Sequence, residues 1–185
     1  MTKKVLVPIA DGTEEIEAVC IIDTLRRAGA EVTVASVSGK LQVTASRGVK
    51  IVADELIGDC ARRTFDLIAL PGGSKGAENL RDSKELADIL KNQQKQGRLY
   101  SAICAAPAVV LQHHGLIGNR KATCYPSLAD QLQNPASADS RVVVDGTLAT
   151  SQGPGTAIEF ALKLVELLFD QAKSAEVAKA MLASG

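Results

Sequence analysis

Cys104 stands in the segment Ala102-Ile103-Cys104-Ala105-Ala106-Pro107, a single thiol framed by small residues. The apolar run ahead of it, from Leu99 to Ile103, reads as a buried strand. Pro107-Ala108-Val109-Val110-Leu111 reads as a helix, with Pro107 at a first position where its missing N–H costs nothing. A strand-to-helix turn of this kind is a nucleophile elbow. It projects one side chain from the sheet edge and tolerates only small neighbours, and Ala102 and Ala106 occupy the positions where the hydrolase version carries glycine. The spacing predicts Cys104 at a helix N-terminus, where free N–H groups and the helix dipole favour thiolate over thiol. A buried structural cysteine beside a helix start is the alternative that this segment leaves open.

The elements that must position this thiol alternate along the chain. Val5 to Ala10 reads as a strand, turned by Asp11-Gly12-Thr13. Glu14 to Ala28 has helical periodicity through Ile16, Val19, Ile22 and Leu25, and Gly29 stops it. Strands are predicted at 31–38, 66–70, 99–103, 121–125, 142–144 and 147–151. The segment 39–47 reads as a hairpin or short ribbon, followed by a short strand at 49–52. Helices are predicted at 83–96, 157–169 and 174–182. This order implies an α/β sandwich around a mostly parallel sheet, as one domain over residues 1–185. Ligands of such sheets bind at the carboxyl ends of the strands. Four turns should gather there: Asp11 to Glu17, Pro71-Gly72-Gly73, Cys104-Ala105-Ala106 and Gly153-Pro154-Gly155-Thr156. Their glycines suit tight turns, and beside a nucleophile they also offer N–H groups to a substrate oxygen.

Composition excludes several functions. Lys+Arg and Asp+Glu are equal at 21 each, with no basic stripe, which argues against nucleic acid and anionic membrane as partners. Aromatics are only 3%, so a stacking platform for bases is not expected. No apolar run is long enough to span a bilayer, and Met1-Thr2-Lys3-Lys4 leads straight into a strand without the pattern of a signal peptide. The four cysteines form no CxxC pair and only two histidines accompany them, so no metal site is expected. Free thiols in a reducing cytoplasm are the expectation. Neither GxxxxGK[ST] nor GxGxxG is present, which leaves no phosphate loop for a nucleotide or flavin.

The motifs Ala10-Asp11-Gly12-Thr13-Glu14-Glu15-Ile16-Glu17, Leu70-Pro71-Gly72-Gly73, Ala102-Ile103-Cys104-Ala105-Ala106-Pro107 and Ser151-Gln152-Gly153-Pro154-Gly155-Thr156 resemble the PfpI/ThiJ superfamily. Within it they resemble the branch of the Parkinson-associated protein deglycase and its bacterial relatives, from about Lys4 to about Ala180. The resemblance implies a flavodoxin-like three-layer α/β sandwich, a homodimer and no cofactor. It implies Cys104 as the reactive cysteine, Glu17 as its partner carboxyl, and Gly73 and Ala105 as the amides facing substrate or oxidised sulfur. Gly72, Tyr125, Arg47 and Pro154 complete the substrate-binding set. Asp23, Arg27, Ser46 and Arg47 match a charged cluster near the dimer interface and site mouth. The implied activities are glyoxalase and deglycase chemistry on 2-oxoaldehydes or glycated proteins. The alternative is a non-enzymatic redox sensor and chaperone switched by oxidation of Cys104 to sulfinic acid.

An ionised Glu17 would oppose a thiolate by like-charge repulsion, so this pairing predicts a carboxyl raised toward neutrality. Glu14 and Glu15 read as solvated charges in a first turn. The human-type member has His where this chain has Tyr125, and other cysteines where it has Ala45 and Val52. Functions tied to those groups do not transfer. Protease-like members place His directly after the nucleophile, and Ala105 there argues against a peptidase. His113 and His114 fall two to three turns beyond the elbow. Cys124 adjoins the Tyr125 position as a possible resolving thiol. Cys20 and Cys60 read as packing or surface residues.

Overall fold

In the computed structural model, which describes residues 2–183, nine strands and five α-helices are arranged around one seven-stranded sheet. The strands are β1 (Lys4–Ile9), β2 (Glu31–Ser36), β3 (Gln42–Thr44), β4 (Lys50–Val52), β5 (Glu55–Leu56), β6 (Leu67–Leu70), β7 (Leu99–Ile103), β8 (Val142–Asp145) and β9 (Leu148–Ser151). The helices are α1 (Glu15–Arg27), α2 (Ser74–Asp82), α3 (Lys84–Lys95), α4 (Ala157–Leu168) and α5 (Gln171–Ala180). The sheet order is β5-β2-β1-β6-β7-β9-β8, parallel throughout except for β8, which runs antiparallel to β9. This is the α/β sandwich around a mostly parallel sheet that the alternation implies, in the flavodoxin-like form that the resemblance implies.

The strands of the sheet centre are buried on both faces, which is why they read as unbroken apolar runs. Alternate side chains then feed two core halves. Val5, Val7 and Ile9 of β1 pack with α1 and α4 through Ile21, Leu25, Phe160 and Leu164. Leu6 faces the other half, with Leu80 of α2, Leu90 of α3 and Tyr100 of β7. Gly29 and Gly97 end α1 and α3 in the left-handed conformation, as their positions after the apolar runs predict. Among the described residues no helix is long and apolar enough to cross a membrane.

Several local expectations need correction. In α1 the buried residues include Glu17, Ala18, Ile21, Thr24 and Leu25, whereas Ile16 is 54% and Val19 51% exposed. The apolar stripe through Ile16 and Val19 therefore faces outward, and the core stripe lies one position along. The expected strand at 121–125 is absent. Ala122 makes one isolated bridge, to Pro135, and the segment runs irregularly across the site. Helix α2 and the short strand β5 went unpredicted. The segment after Cys104 is helical, but over Pro107–Gln112 it winds as a wider π-helix of six residues. Pro107 withholds a donor from its first turn.

Candidate active site

The carboxyl edge of the sheet brings all four turns together. They border a cleft of about 620 Å³ lined by, among others, Gly12, Arg47, Gly73, Cys104, Tyr125 and Pro154. Ala105 lines it too, while Glu17 and Gly72 lie beneath the cysteine rather than on the wall.

Cys104 adopts φ 64, the left-handed region that a non-glycine residue enters only under constraint. The constraint is visible on both sides of the residue. Its N–H donates to the Ser151 carbonyl at 3.0 Å, extending the β7–β9 ladder by one bond. Its carbonyl accepts from the Tyr125 N–H at 2.8 Å. The elbow is thus held by residues far along the chain, and the side chain is aimed out of the sheet edge into the cleft.

Glu17 occupies the first turn of α1, where Glu14 caps the helix by accepting from the Glu17 N–H at 2.8 Å. The Glu17 side chain is fully buried. Oε2 accepts from the Gly72 N–H at 2.7 Å and Oε1 has no hydrogen-bond partner, while the carboxyl as a whole lies against the Cys104 thiol. Burial is the main force on this carboxyl and raises it to about 7, with the charge of Glu14 adding to the rise and the Gly72 amide opposing it. The raised carboxyl is the state that the pairing with Cys104 predicts.

The thiol itself departs from expectation. Burial, and then the Glu17 charge, push Cys104 up to about 12, although the N–H groups of Gly73 and Ala105 both favour its anion. The six-residue π-helix does not offset the loss of solvent. Glu17 and Cys104 therefore form a coupled pair, in which the carboxyl gives up its proton before the thiol does and its charge then opposes a thiolate beside it.

Gly72 shows how closely these groups meet. A Cβ there would lie 2.7 Å from Cys104 Cβ, 2.8 Å from the Ile103 carbonyl oxygen and 2.9 Å from Glu17 Oε2. Gly72→Ala is accordingly expected to lower stability by about 1–3 kcal/mol, read as a fall in the urea midpoint, and to separate Glu17 from the thiol. Gly73, at φ 86, carries α2 away from β6, and a Cβ on it would collide with the Gly12 carbonyl oxygen.

Other expected residues fall into place differently. Tyr125 is half-exposed at the cleft, with its ring beside Gly153. The last turn is closed by the Ser151 and Thr156 hydroxyls, 2.6 Å apart. The charged cluster divides: Asp23 and Arg27 pair with each other on exposed α1 at 2.6 Å, whereas Ser46 and Arg47 belong to the turn between β3 and β4. Glu15 is not solvated. It is buried and holds that turn, for reasons that its immediate neighbours in sequence do not reveal. Cys124 is buried, and burial raises its thiol to about 11; it does not line the cleft. Cys60 is buried and Cys20 half-buried. His114 is tied to the Arg81 carbonyl at 2.9 Å, with His113 against its ring, away from the cleft. Ser74, Lys75, Ser127 and Leu128 also line the cleft. Ser74 and Lys75 were missed together with α2, and the Pro126 following Tyr125 was the one cue that the chain turns there.

Fold and cleft together define an α/β sandwich that presents one cysteine, backed by a buried carboxyl, at the carboxyl edge of its sheet. The chain belongs to the DJ-1/PfpI family, whose model matches residues 3–167. It is 48% identical over 181 residues to protein DJ-1 homolog B of Arabidopsis thaliana, covering 98% of this chain and 41% of the plant protein. The chain thus spans less than half the length of that relative. It is 40% identical over 166 residues to the glutathione-independent glyoxalase DJR-1.2 of Caenorhabditis elegans, covering 89% of this chain and 87% of that protein. The structure is similar to that of oxidized Toxoplasma gondii DJ-1, with a TM-score of 0.97, 50% identity and complete coverage of both chains.

Proposed function

We propose that this chain is a cofactor-independent glyoxalase and protein deglycase, acting on methylglyoxal-type 2-oxoaldehydes or their adducts on proteins. The observation that carries the reading is the buried Glu17 carboxyl, raised to about 7 and set against Cys104. A general acid–base works best when its pKa lies near the working pH. The glyoxalase named among the relatives supports the same chemistry.

On methylglyoxal the Cys104 sulfur attacks the aldehyde carbon while the thiol proton passes through the Glu17 carboxylate to the new alkoxide, which gives a hemithioacetal and leaves Glu17 free to accept the next proton. The Gly73 and Ala105 N–H groups face the sulfur and are positioned to meet oxygen charge built up beside it. Glu17 takes the proton from the former aldehyde carbon and returns it to the adjacent carbon, converting the hemithioacetal into a thioester. Water then cleaves the thioester, releasing lactate and the thiol. The sum is methylglyoxal plus water to lactate, with no external electron carrier. Arg47 and Tyr125 on the cleft wall orient the second carbonyl. The test is lactate formation from methylglyoxal by the purified chain without glutathione or metal. Turnover supports the reading, and its absence from folded protein overturns it.

A redox sensor and chaperone remains the second reading, favoured by the same amides and by the neutral form of Glu17. A protonated carboxyl donates to a sulfinate oxygen and holds the sulfur at that rung of oxidation. Mass spectrometry after graded peroxide, showing a stable two-oxygen adduct at Cys104 alone, supports it.

We further propose a homodimer in a reducing, cytoplasmic setting. Ile16 and Val19 of α1, with Val49 and Val52 of the neighbouring hairpin, are exposed apolar residues that a second copy would cover. The four free thiols fit the compartment. Light scattering is expected to give twice the 19.4 kDa chain mass. The double variant Ile16→Glu, Val19→Glu is expected to give the monomer, and a wild-type monomer at micromolar concentration would refute the dimer.

A further inference from the structure

The β3–β4 turn reaches the mouth of the cleft, and residues 46 and 47 at its tip are held by a buried side chain on α1. Glu15 is 8% exposed. One carboxylate oxygen accepts from the Ser46 hydroxyl at 2.6 Å and the other from the Arg47 N–H at 2.8 Å. Backbone bonds seat the same turn on the first strand-to-helix loop: the Ser46 N–H donates to the Thr13 carbonyl at 2.8 Å, and the Gly12 N–H to the Thr44 carbonyl at 2.8 Å. The turn closes on itself through the Gly48 N–H and the Ala45 carbonyl at 3.0 Å. Both oxygens of the Glu15 carboxylate thus bond this turn. Arg47 itself lines the cleft, and among the described residues its side chain makes no ion pair.

We propose that Glu15 is a positioning residue: its buried carboxylate fixes the Ser46–Arg47 turn so that the Arg47 guanidinium faces the Cys104 cleft and selects reactants bearing negative charge or a polarised second oxygen. The inference rests on the reading of the cleft as a reactive-thiol site, though not on turnover of any one substrate. Because Glu15 is itself an anion, a direct electrostatic role and a positioning role have opposite signs. As a bare charge it would weaken the pull of the cleft on anions, and removing it would strengthen that pull. As an anchor it holds the cation in place, and removing it weakens the pull.

The experiment compares alkylation of Cys104 by iodoacetate, an anion, with alkylation by iodoacetamide, its neutral analogue, alongside methylglyoxal kinetics. Glu15→Ala is expected to lower the iodoacetate-to-iodoacetamide rate ratio about fivefold, close to the ratio of Arg47→Gln. It is expected to raise the KM for methylglyoxal by a similar factor with kcat within about twofold. Glu15→Gln removes the charge but keeps groups that meet the Arg47 N–H and the Ser46 hydroxyl, and it is expected to recover most of the loss. A ratio that rises in both variants makes Glu15 a simple charge and overturns the proposal, as does an unchanged ratio in Glu15→Ala. If Glu15→Ala fails to fold, Ser46→Ala, which deletes one of the two contacts, is expected to show a smaller drop in the same ratio, and no drop there counts against the proposal. If wild type forms no lactate, the glyoxalase reading fails while the alkylation ratio still decides the role of Glu15.

Discussion

Cys104→Ala is expected to abolish lactate formation from methylglyoxal, lowering kcat/KM by more than about 10³-fold while the protein stays folded. The loss is large because the covalent step has no substitute: among the described residues no other thiol lines the cleft. The fold should survive because the strain at φ 64 belongs to the backbone and alanine carries the same Cβ. Thermal melts by circular dichroism beside the lactate assay check both halves of the prediction. Turnover persisting in the variant would remove Cys104 from the chemistry and sink the mechanism.

Glu17→Gln is expected to slow turnover by about 10²–10⁴-fold, since the amide cannot carry the proton between the two carbons. The same change should stabilise the protein at neutral and alkaline pH. Folding raises this carboxyl from 4.5 to about 7, so the folded state holds the proton more tightly than the unfolded chain. Below pH 4.5 both states are protonated and the site costs nothing. As pH rises from there to about 7 the unfolded chain loses its proton first, and wild-type stability falls. Above that window the cost levels off, at most about 3 kcal/mol for a shift of this size. The melting temperature of Glu17→Gln should therefore exceed that of wild type at pH 8 and converge with it at pH 4.5. The opposite trend would mean that Glu17 is ionised in the fold across this range. Alkylation of Cys104 carries a second signature. Wild type should show a step in rate near pH 7, where the pair loses its first proton, and the variant should not.

Much of this site is legible from local sequence because its parts are local devices. An elbow needs small residues beside the nucleophile, and a helix end in the left-handed region takes Gly29 or Gly97, so both leave marks within a few positions. The mostly parallel sheet follows from apolar runs spaced by helices. What escaped is fixed by contacts across the fold. Helix α2 is polar and contains Gly76, which lowers its helical signal. Gly76 is there because a Cβ would meet the Thr13 backbone at 2.6 Å, a constraint set by a turn about sixty residues earlier. The outward stripe of Ile16 and Val19 mimics a core face, since periodicity reports that a helix is amphipathic and not which neighbour its apolar face meets. Glu15 and Glu17 are indistinguishable as letters, yet both are buried. One is held by a turn thirty residues on, and the other lies under a thiol about ninety residues away.

The clamp on Cys104 also bears on how the reactive thiol comes into being. Its two backbone partners belong to Tyr125 and Ser151, the second forty-seven positions later in the chain. Before β9 docks, the Ser151 half of the clamp on this disfavoured backbone conformation is missing. A nascent chain that has not yet made Ser151 therefore carries Cys104 without its completed clamp. The perturbed pair is a product of completed folding, and its appearance during refolding, followed by the neutral-pH step in alkylation, should coincide with the last strand joining the sheet and lag the formation of β1, α1 and β2.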